Sequence, residues 1–372
     1  MNNKFLFVVS EFFPAGAQRQ MYELDLEFKK RKINIEILSL LPLNSHPYFP
    51  DFFYKVHLQL GTKVRFISSY RANNLLKKMQ VRMGLDNKDT LKAYFEEFRS
   101  VFFMGEYVFH SLQERVKTFN IERYNIFIMC SRFQGEYYRV IDKGFKYNFI
   151  SGFDTDEQVA YEFEGYSQYR HTYLPLLLKP TLDYKTWKFK NIDSEKKIGI
   201  FTRLSKDKPL DPFFYVFKLL LELNVKVQLH IFGAGVVEEA GYDRYINTLG
   251  IKGSVLFRGH QEDIKETINK EQLDLIWFQG YLNRPAGYAG FDACLTGTPQ
   301  LFWDFYDGNN SDINNLDSVY PHFKHIGNFL NASLKVLNDK NYAETLAQRQ
   351  FSDVFNNRNM SFGFENIKYL FT

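Results

Sequence analysis

Short apolar runs recur along this chain, each closed by a turn and followed by a stripe of helical spacing. Lys4–Val9, Asn34–Leu40, Lys63–Ile67, Tyr124–Cys130 and Tyr147–Ser151 form a first set. Lys197–Thr202, Lys226–Phe232, Val255–Phe257, Leu273–Phe278 and Gln300–Trp303 form a second. Runs of this length, rich in β-branched and aromatic residues, read as buried strands. Strands that alternate with helices imply a parallel sheet with right-handed crossovers. Few other architectures tolerate the pattern. It breaks once, at His171–Ile192, where Pro175, Pro180 and the cationic Lys185–Lys190 interrupt it. A chain of 372 residues also exceeds one hydrophobic core, which rarely extends past roughly 250–300 residues. The expectation is two α/β units in tandem, 1–182 and 183–350, facing a cleft, with 351–372 returning to the first unit. Within the first unit, 41–60 reads as irregular and 73–119 as helix broken near Gly84.

Composition excludes more than it selects. Hydrophobic content of 45% and charge of 24% are ordinary for a globular protein. A net charge of +4 suits acidic small ligands or an anionic surface and does not demand nucleic acid. The cysteines, Cys130 and Cys294, lie far apart in apolar surroundings without metal-ligand spacing, so a reducing compartment is the simplest setting. The apolar run near the N-terminus is too short to span a membrane.

The chemistry is expected in turns of the second set. Thr202-Arg203-Leu204-Ser205-Lys206-Asp207-Lys208 follows a buried run and precedes a helical stripe of Phe213, Phe214, Phe217, Leu220 and Leu221. In a parallel α/β sheet such a turn lies at the carboxyl edge, where ligands bind. Arg203 and Lys208, a planar fork and a mobile point charge, suit a diphosphate. The plain alternative is a solvated basic turn. Gly233-Ala234-Gly235 also follows a strand. A dinucleotide fingerprint would place its third glycine at Glu238, whose carboxylate repels a pyrophosphate, so nicotinamide chemistry is rejected. What survives is close approach of a ligand to Gly233 and Gly235. Further on, Gly287-Tyr288-Ala289-Gly290 opens a helix whose free N–H groups would face an anion. Asp292, near the first turn, could accept hydrogen bonds from a ribose diol. For Asp292 the alternative is a plain dipole-favoured acid, and for Arg284 a solvated loop arginine.

These landmarks resemble the donor half of family-4 retaining GT-B glycosyltransferases. The family's strand-Gly-Arg-Leu, three residues, Lys-Gly is similar to Thr202-Arg203-Leu204 through Lys208-Pro209, with both cations kept and both glycines lost. Its strand-Gly-x-Gly resembles Phe232-Gly233-Ala234-Gly235, and its Val-x-Phe-x-Gly resembles Val255-Leu256-Phe257-Arg258-Gly259. Gly297-Thr298-Pro299 sets the register of the signature helix, placing its second acid on Asp292 and its first on Arg284. Pro14-Ala15-Gly16-Ala17-Gln18-Arg19-Gln20 is similar to the family's Gly-rich loop in the first half.

The resemblance implies a GT-B fold with two Rossmann-like domains. It implies a UDP- or GDP-linked sugar donor, an acceptor that is a glycan, a lipid-linked chain or a protein, and a role in bacterial cell-surface polysaccharide or glycoconjugate synthesis. It also implies catalysis without metal or cofactor, retention of configuration, and a cytoplasmic enzyme at the inner face of the membrane. Arg203 and Lys208 would be catalytic as well as binding groups, because leaving-group charge builds on the β-phosphate. Gly16, Gly233, Gly235, Arg284, Gly287, Tyr288, Ala289, Gly290 and Asp292 would hold the donor. The family's His after the last strand of the first domain is absent, and Asp154 stands to take its polar role. Lys77, Lys78 and Arg82 beside Leu75, Leu76 and Met79 suggest a helix for membrane contact, against an ordinary amphipathic surface. Two rivals stay open. Asp154-Thr155-Asp156 has the metal-holding form of a GT-A transferase, and the lost acid and His would also suit a degenerate GT-B scaffold.

Overall fold

A computed structural model describes residues 4–46, 50–70, 90–116, 124–128, 147–152, 171–281, 284–305 and 312–371. The chain divides into two compact units, Met1–Lys179 with Asn359–Thr372, and Pro180–Arg358.

In the first unit, β1 (Lys4–Val9), β2 (Asn34–Ser39), β3 (Lys63–Phe66), β4 (Ser100–Phe103), β5 (Tyr124–Ile128), β6 (Tyr147–Ser151) and β7 (His171–Tyr173) form one parallel sheet. The order is β3-β2-β1-β4-β5-β6-β7. From Phe5 to Val9, β1 is apolar and buried without alternation, as a strand covered on both faces should be. The helices are α1 (Gly16–Arg31), α2 (Phe52–Gln59), α3 (Thr90–Phe95) and α4 (Glu106–Val116). Met21, Leu24 and Phe28 bury one stripe of α1, and Lys29, Lys30 and Arg31 sit in its last turn, where the helix dipole favours cations. Asp25 of α1 is fully buried, yet its carboxylate meets Nδ1 of His57 at 2.7 Å and accepts the Thr62 hydroxyl at 2.7 Å. This satisfied network ties α1 to α2 and to the start of β3.

In the first unit, three of the described elements differ from expectation. Ser100–Phe103 is a central strand inside a stretch expected to be helical. Its four residues are all buried, and an apolar run that short carries no period of its own. Phe52–Gln59 is helical where an irregular loop was expected, and His171–Tyr173 adds a strand inside the expected boundary.

In the second unit, β8 (Lys196–Phe201), β9 (Val227–Phe232), β10 (Val255–Gly259), β11 (Leu275–Tyr281), β12 (Arg284–Pro285), β13 (Gln300–Asp304) and β14 (His322–Phe323) form the other sheet. Its order is β10-β9-β8-β11-β13-β14, parallel throughout, with β12 hooked antiparallel onto β11. The helices are α5 (Asp211–Glu222), α6 (Val237–Ala240), α7 (Tyr242–Thr248), α8 (Ile264–Glu271), α9 (Tyr288–Cys294), α10 (Ile326–Asn338) and α11 (Lys340–Asn357). Phe213, Phe214, Phe217 and Leu220 of α5 pack with Ile198, Leu229, Trp277 and Phe329 in one core. At the start of β13, Gln350 of α11 pairs with the backbone of Gln300. It accepts from the N–H at 2.9 Å and donates to the carbonyl at 2.9 Å.

Residues 359–372 pack with the first unit. They include the short helix α12 (Met360–Gly363) and end with the Phe371 ring stacked on Phe102 at 4.9 Å.

Candidate functional site

In the second unit the chain builds outward from β8 to β9 and β10, then returns to lay β11 on the other side of β8. That reversal makes a crevice outside the carboxyl ends of β8 and β11. The turn after β8 carries Arg203 and Lys208, and the segment after β11 carries Arg284 and Gly287. The side chain of Gln279 on β11 donates to the carbonyl of Pro209 at 3.3 Å, a direct link between the two sides of the reversal.

The Arg203 turn is held firmly. Thr202 N–H donates to Phe232 O at 2.9 Å and Leu204 N–H to Ala234 O at 2.8 Å, so the backbone continues the β8–β9 pairing past the strands. Lys208 N–H closes the turn onto Ser205 O at 3.0 Å. The buried Tyr242 hydroxyl of α7 faces the carbonyls of Ser205 at 3.0 Å and Lys208 at 2.5 Å. Burial pushes that phenol up to about 12, so it stays a donor. Tyr242 lies 34 residues beyond Lys208, and no sequence signal pointed to it.

The turn brings two cations beside one carboxylate. Arg203 is exposed and its Nη2 lies 3.4 Å from Oδ2 of Asp207. Lys208 is half-buried. Burial holds its ammonium below the ordinary lysine value, the Arg203 charge pushes the same way, and Asp207 opposes both. The Asp207 carboxyl is raised by burial, but the nearby Ser205 hydroxyl and the charges of Arg203 and Lys208 bring it net below its usual value. One exposed carboxylate thus faces a pair of cations that repel each other.

Gly233 and Gly235 have a packing role as well. A Cβ on Gly233 would overlap the carbonyl oxygen of Thr202, and one on Gly235, at φ +128°, would overlap that of Leu204. On the Cβ side the space is filled by the neighbouring turn, which the glycines allow to approach. Gly290 likewise makes room for Pro285. Gly287 and, in the first unit, Gly16 stand at helix starts with open space beside them and no side-chain cap.

Arg284 is not a solvated loop arginine, since it is 6% exposed on β12. Its carbonyl faces Nε2 of the fully buried His322 at 3.2 Å, and His322 stacks on Phe302 at 5.1 Å. Asp292 falls in the second turn of α9, not its first, and is 6% exposed with Lys265 Nζ at 3.4 Å. Tyr288 is buried and Ala289 half-buried in the same helix. Asp154, the Asp154-Thr155-Asp156 motif, Cys130 and the basic stretch with Lys77, Lys78 and Arg82 lie outside the described residues. Among the described residues no group of His, Cys, Asp or Glu is assembled to hold a metal ion, and no helix is long and apolar enough to cross a membrane.

The first unit has its own reversal, between β1 and β4. There the Ser10 hydroxyl receives hydrogen bonds from Tyr107 at 2.7 Å and from the Gln18 amide at 3.3 Å, beside the start of α1.

No protein-family model matches the chain, and no curated protein matches it in sequence. Solved structures match it over nearly its whole length. HepE of Anabaena in complex with UDP and glucose superposes with a TM-score of 0.73 at 12% identity, covering 99% of this chain and 98% of that one. The lipopolysaccharide outer core galactosyltransferase WaaB, in its apo form, gives 0.66 at 14% identity, covering 99% of both chains. Sucrose-phosphate synthase of Thermosynechococcus elongatus gives 0.68 at 12% identity over 99% and 98%. The chain has the GT-B fold, with two parallel sheets of the kind these proteins share.

Proposed function

We propose that this chain is a glycosyltransferase that moves a sugar from a nucleotide-diphosphate donor to an acceptor. The observation that carries the reading is the Arg203–Lys208 pair, held at the strand-order reversal of a GT-B second unit and balanced by a single exposed carboxylate. The donor diphosphate takes that place. Departure of the nucleotide builds charge on the β-phosphate, and Arg203 and Lys208 stabilise it without reorganising, because Tyr242 and the β9 backbone already fix the turn. Asp292 receives the ribose diol, and the open backbone at Gly287 lies toward the phosphates. Arg284 serves the donor, either at its sugar or as a third cation at the diphosphate. The HepE complexes hold UDP, UDP-glucose or UDP with glucose, which favours UDP over GDP. Transfer is metal-independent and retains configuration. The acceptor is a glycan, a lipid-linked chain or a protein on the first unit, in cell-surface polysaccharide synthesis at the cytoplasmic face of a membrane.

The test is thermal unfolding against a panel of UDP- and GDP-sugars, with and without chelator. A ligand that binds only the folded state at about 100 times its Kd stabilises by roughly 2.7 kcal/mol. At least one donor should raise the melting temperature equally in both conditions. A shift that disappears with chelator would overturn metal independence, whereas the GT-A rival already falls with the two-sheet GT-B fold. No shift from any donor would favour a scaffold, a reading that the arginine at position 284 keeps alive.

A further inference from the structure

Asp207 puts a negative charge inside the turn that carries Arg203 and Lys208. Its Oδ2 lies 3.4 Å from Nη2 of Arg203, and Lys208 is the next residue. An exposed pair four residues apart is loose in most proteins. This one stands on a pinned backbone. Leu204 N–H donates to Ala234 O at 2.8 Å and Lys208 N–H to Ser205 O at 3.0 Å, and the Tyr242 hydroxyl reaches the carbonyls of Ser205 and Lys208. The carboxylate is thus kept near both cations. Burial raises its pKa, but the nearby Ser205 hydroxyl, Arg203 and Lys208 bring it below the ordinary 3.8, so the charge persists near neutrality. Lys206, the third cation of the turn, is exposed.

Such an acid repels any anion in the turn, in proportion to the charge that the anion carries. A sugar-capped diphosphate carries two negative charges. The free nucleoside diphosphate carries one more on its terminal phosphate above about pH 6. The two ligands share base, ribose and diphosphate, so this charge is what the turn can tell apart. We infer that Asp207 sets the preference of the turn for the capped diphosphate of a donor over the free nucleoside diphosphate that transfer releases. This rests on the reading of Arg203 and Lys208 as the diphosphate site. Discrimination by a repulsive group lowers the affinity for both ligands and lowers it more for the unwanted one. Its consequence is easier release of the product.

The test is calorimetric binding, at low salt and about pH 7.5, where the terminal phosphate is fully ionised. The ligands are UDP and its terminal-phosphate methyl ester, and GDP and its ester, each titrated into wild type, Asp207→Asn and Asp207→Glu. The esters carry the donor's charge without committing to a sugar. One unit charge about 8 Å away in water changes affinity roughly twofold per ligand charge. Asp207→Asn should therefore tighten the ester about fourfold and the free diphosphate about eightfold, which halves the preference for the ester. Asp207→Glu should keep the wild-type preference. The gap between the two ligands should close at about pH 5, where the terminal phosphate takes up a proton and Asp207 stays ionised. It should also close at high salt. Melting temperatures confirm that the variants are folded. If Asp207→Asn tightens both ligands equally, or leaves both unchanged, the inference is overturned while the diphosphate reading stands. The same holds if it weakens both, which would mean that the acid only holds Arg203 in place. If none of the four ligands binds wild type, the diphosphate reading falls and takes the inference with it.

Discussion

Lys208 should give the site a pH dependence of known sign. Its folded pKa lies below the ordinary 10.5, so between the two values the unfolded chain binds more protons. Stability of the free protein should therefore rise with pH through that window, and Lys208→Met should lose the rise. A bound diphosphate favours the ammonium, so its affinity should fall as pH climbs through the depressed pKa. Calorimetry in buffers of different ionisation enthalpy would show proton uptake on binding, and affinity independent of pH there would remove Lys208 from the site. Asp207 occupies the same field. Asp207→Asn should tighten diphosphate binding by several-fold, because the two cations then lack an internal partner. A buried Arg284 sharpens its own test. If it serves the diphosphate, Arg284→Glu should weaken every donor alike, and if it faces the sugar, the change should favour neutral hexoses. That Arg203 and Lys208 share one turn after a buried strand was legible, because only six residues span both. The burial of Arg284 was not, since it depends on β12 folding back onto β11. The Lys265–Asp292 pair joins separate helices 27 residues apart, and no local pattern encodes it.

At the scale of elements, the laced turns after β8 and β9 are the device that aims the site. Gly233→Ala would push on the Thr202 carbonyl and shift the whole Arg203 turn. The expected result is donor affinity lower by tenfold or more with the fold retained, read by titration and circular dichroism together. Tyr242→Phe removes a buried hydroxyl from the same turn and should cost about 1–3 kcal/mol by chemical denaturation, along with part of the turnover. Unchanged turnover in both variants would mean that the turn does not need its supports. The strands of both sheets that carry charged lead-ins and long apolar runs could be read directly. Ser100–Phe103 could not, because aromatic residues on α3 and α4 surround it with helical spacing. A sequence also shows where a side chain is missing without showing what fills the space. At Gly233 and Gly235 a neighbouring backbone occupies the Cβ side, which no local pattern shows.

At the scale of the molecule, the tail and the donor site can be tested separately. Removing 359–372 strips Phe364, Ile367, Leu370 and Phe371 from the core of the first unit. Losses of this kind run to about 2–5 kcal/mol per large buried side chain, so the first unit should unfold early in a thermal scan. Membrane contact predicts co-sedimentation with anionic vesicles at low salt and release at high salt. Failure to sediment would return the basic helix to an ordinary surface role. The central claim is that the second unit binds a nucleoside diphosphate through Arg203 and Lys208. Calorimetric titration of UDP into wild type, Arg203→Ala and Lys208→Ala, in the presence of chelator, tests it most directly. Charge-assisted bonds are worth about 1.5–3 kcal/mol, so each variant should bind at least about tenfold more weakly while keeping its melting temperature. Folded variants that bind UDP as tightly as wild type would contradict it.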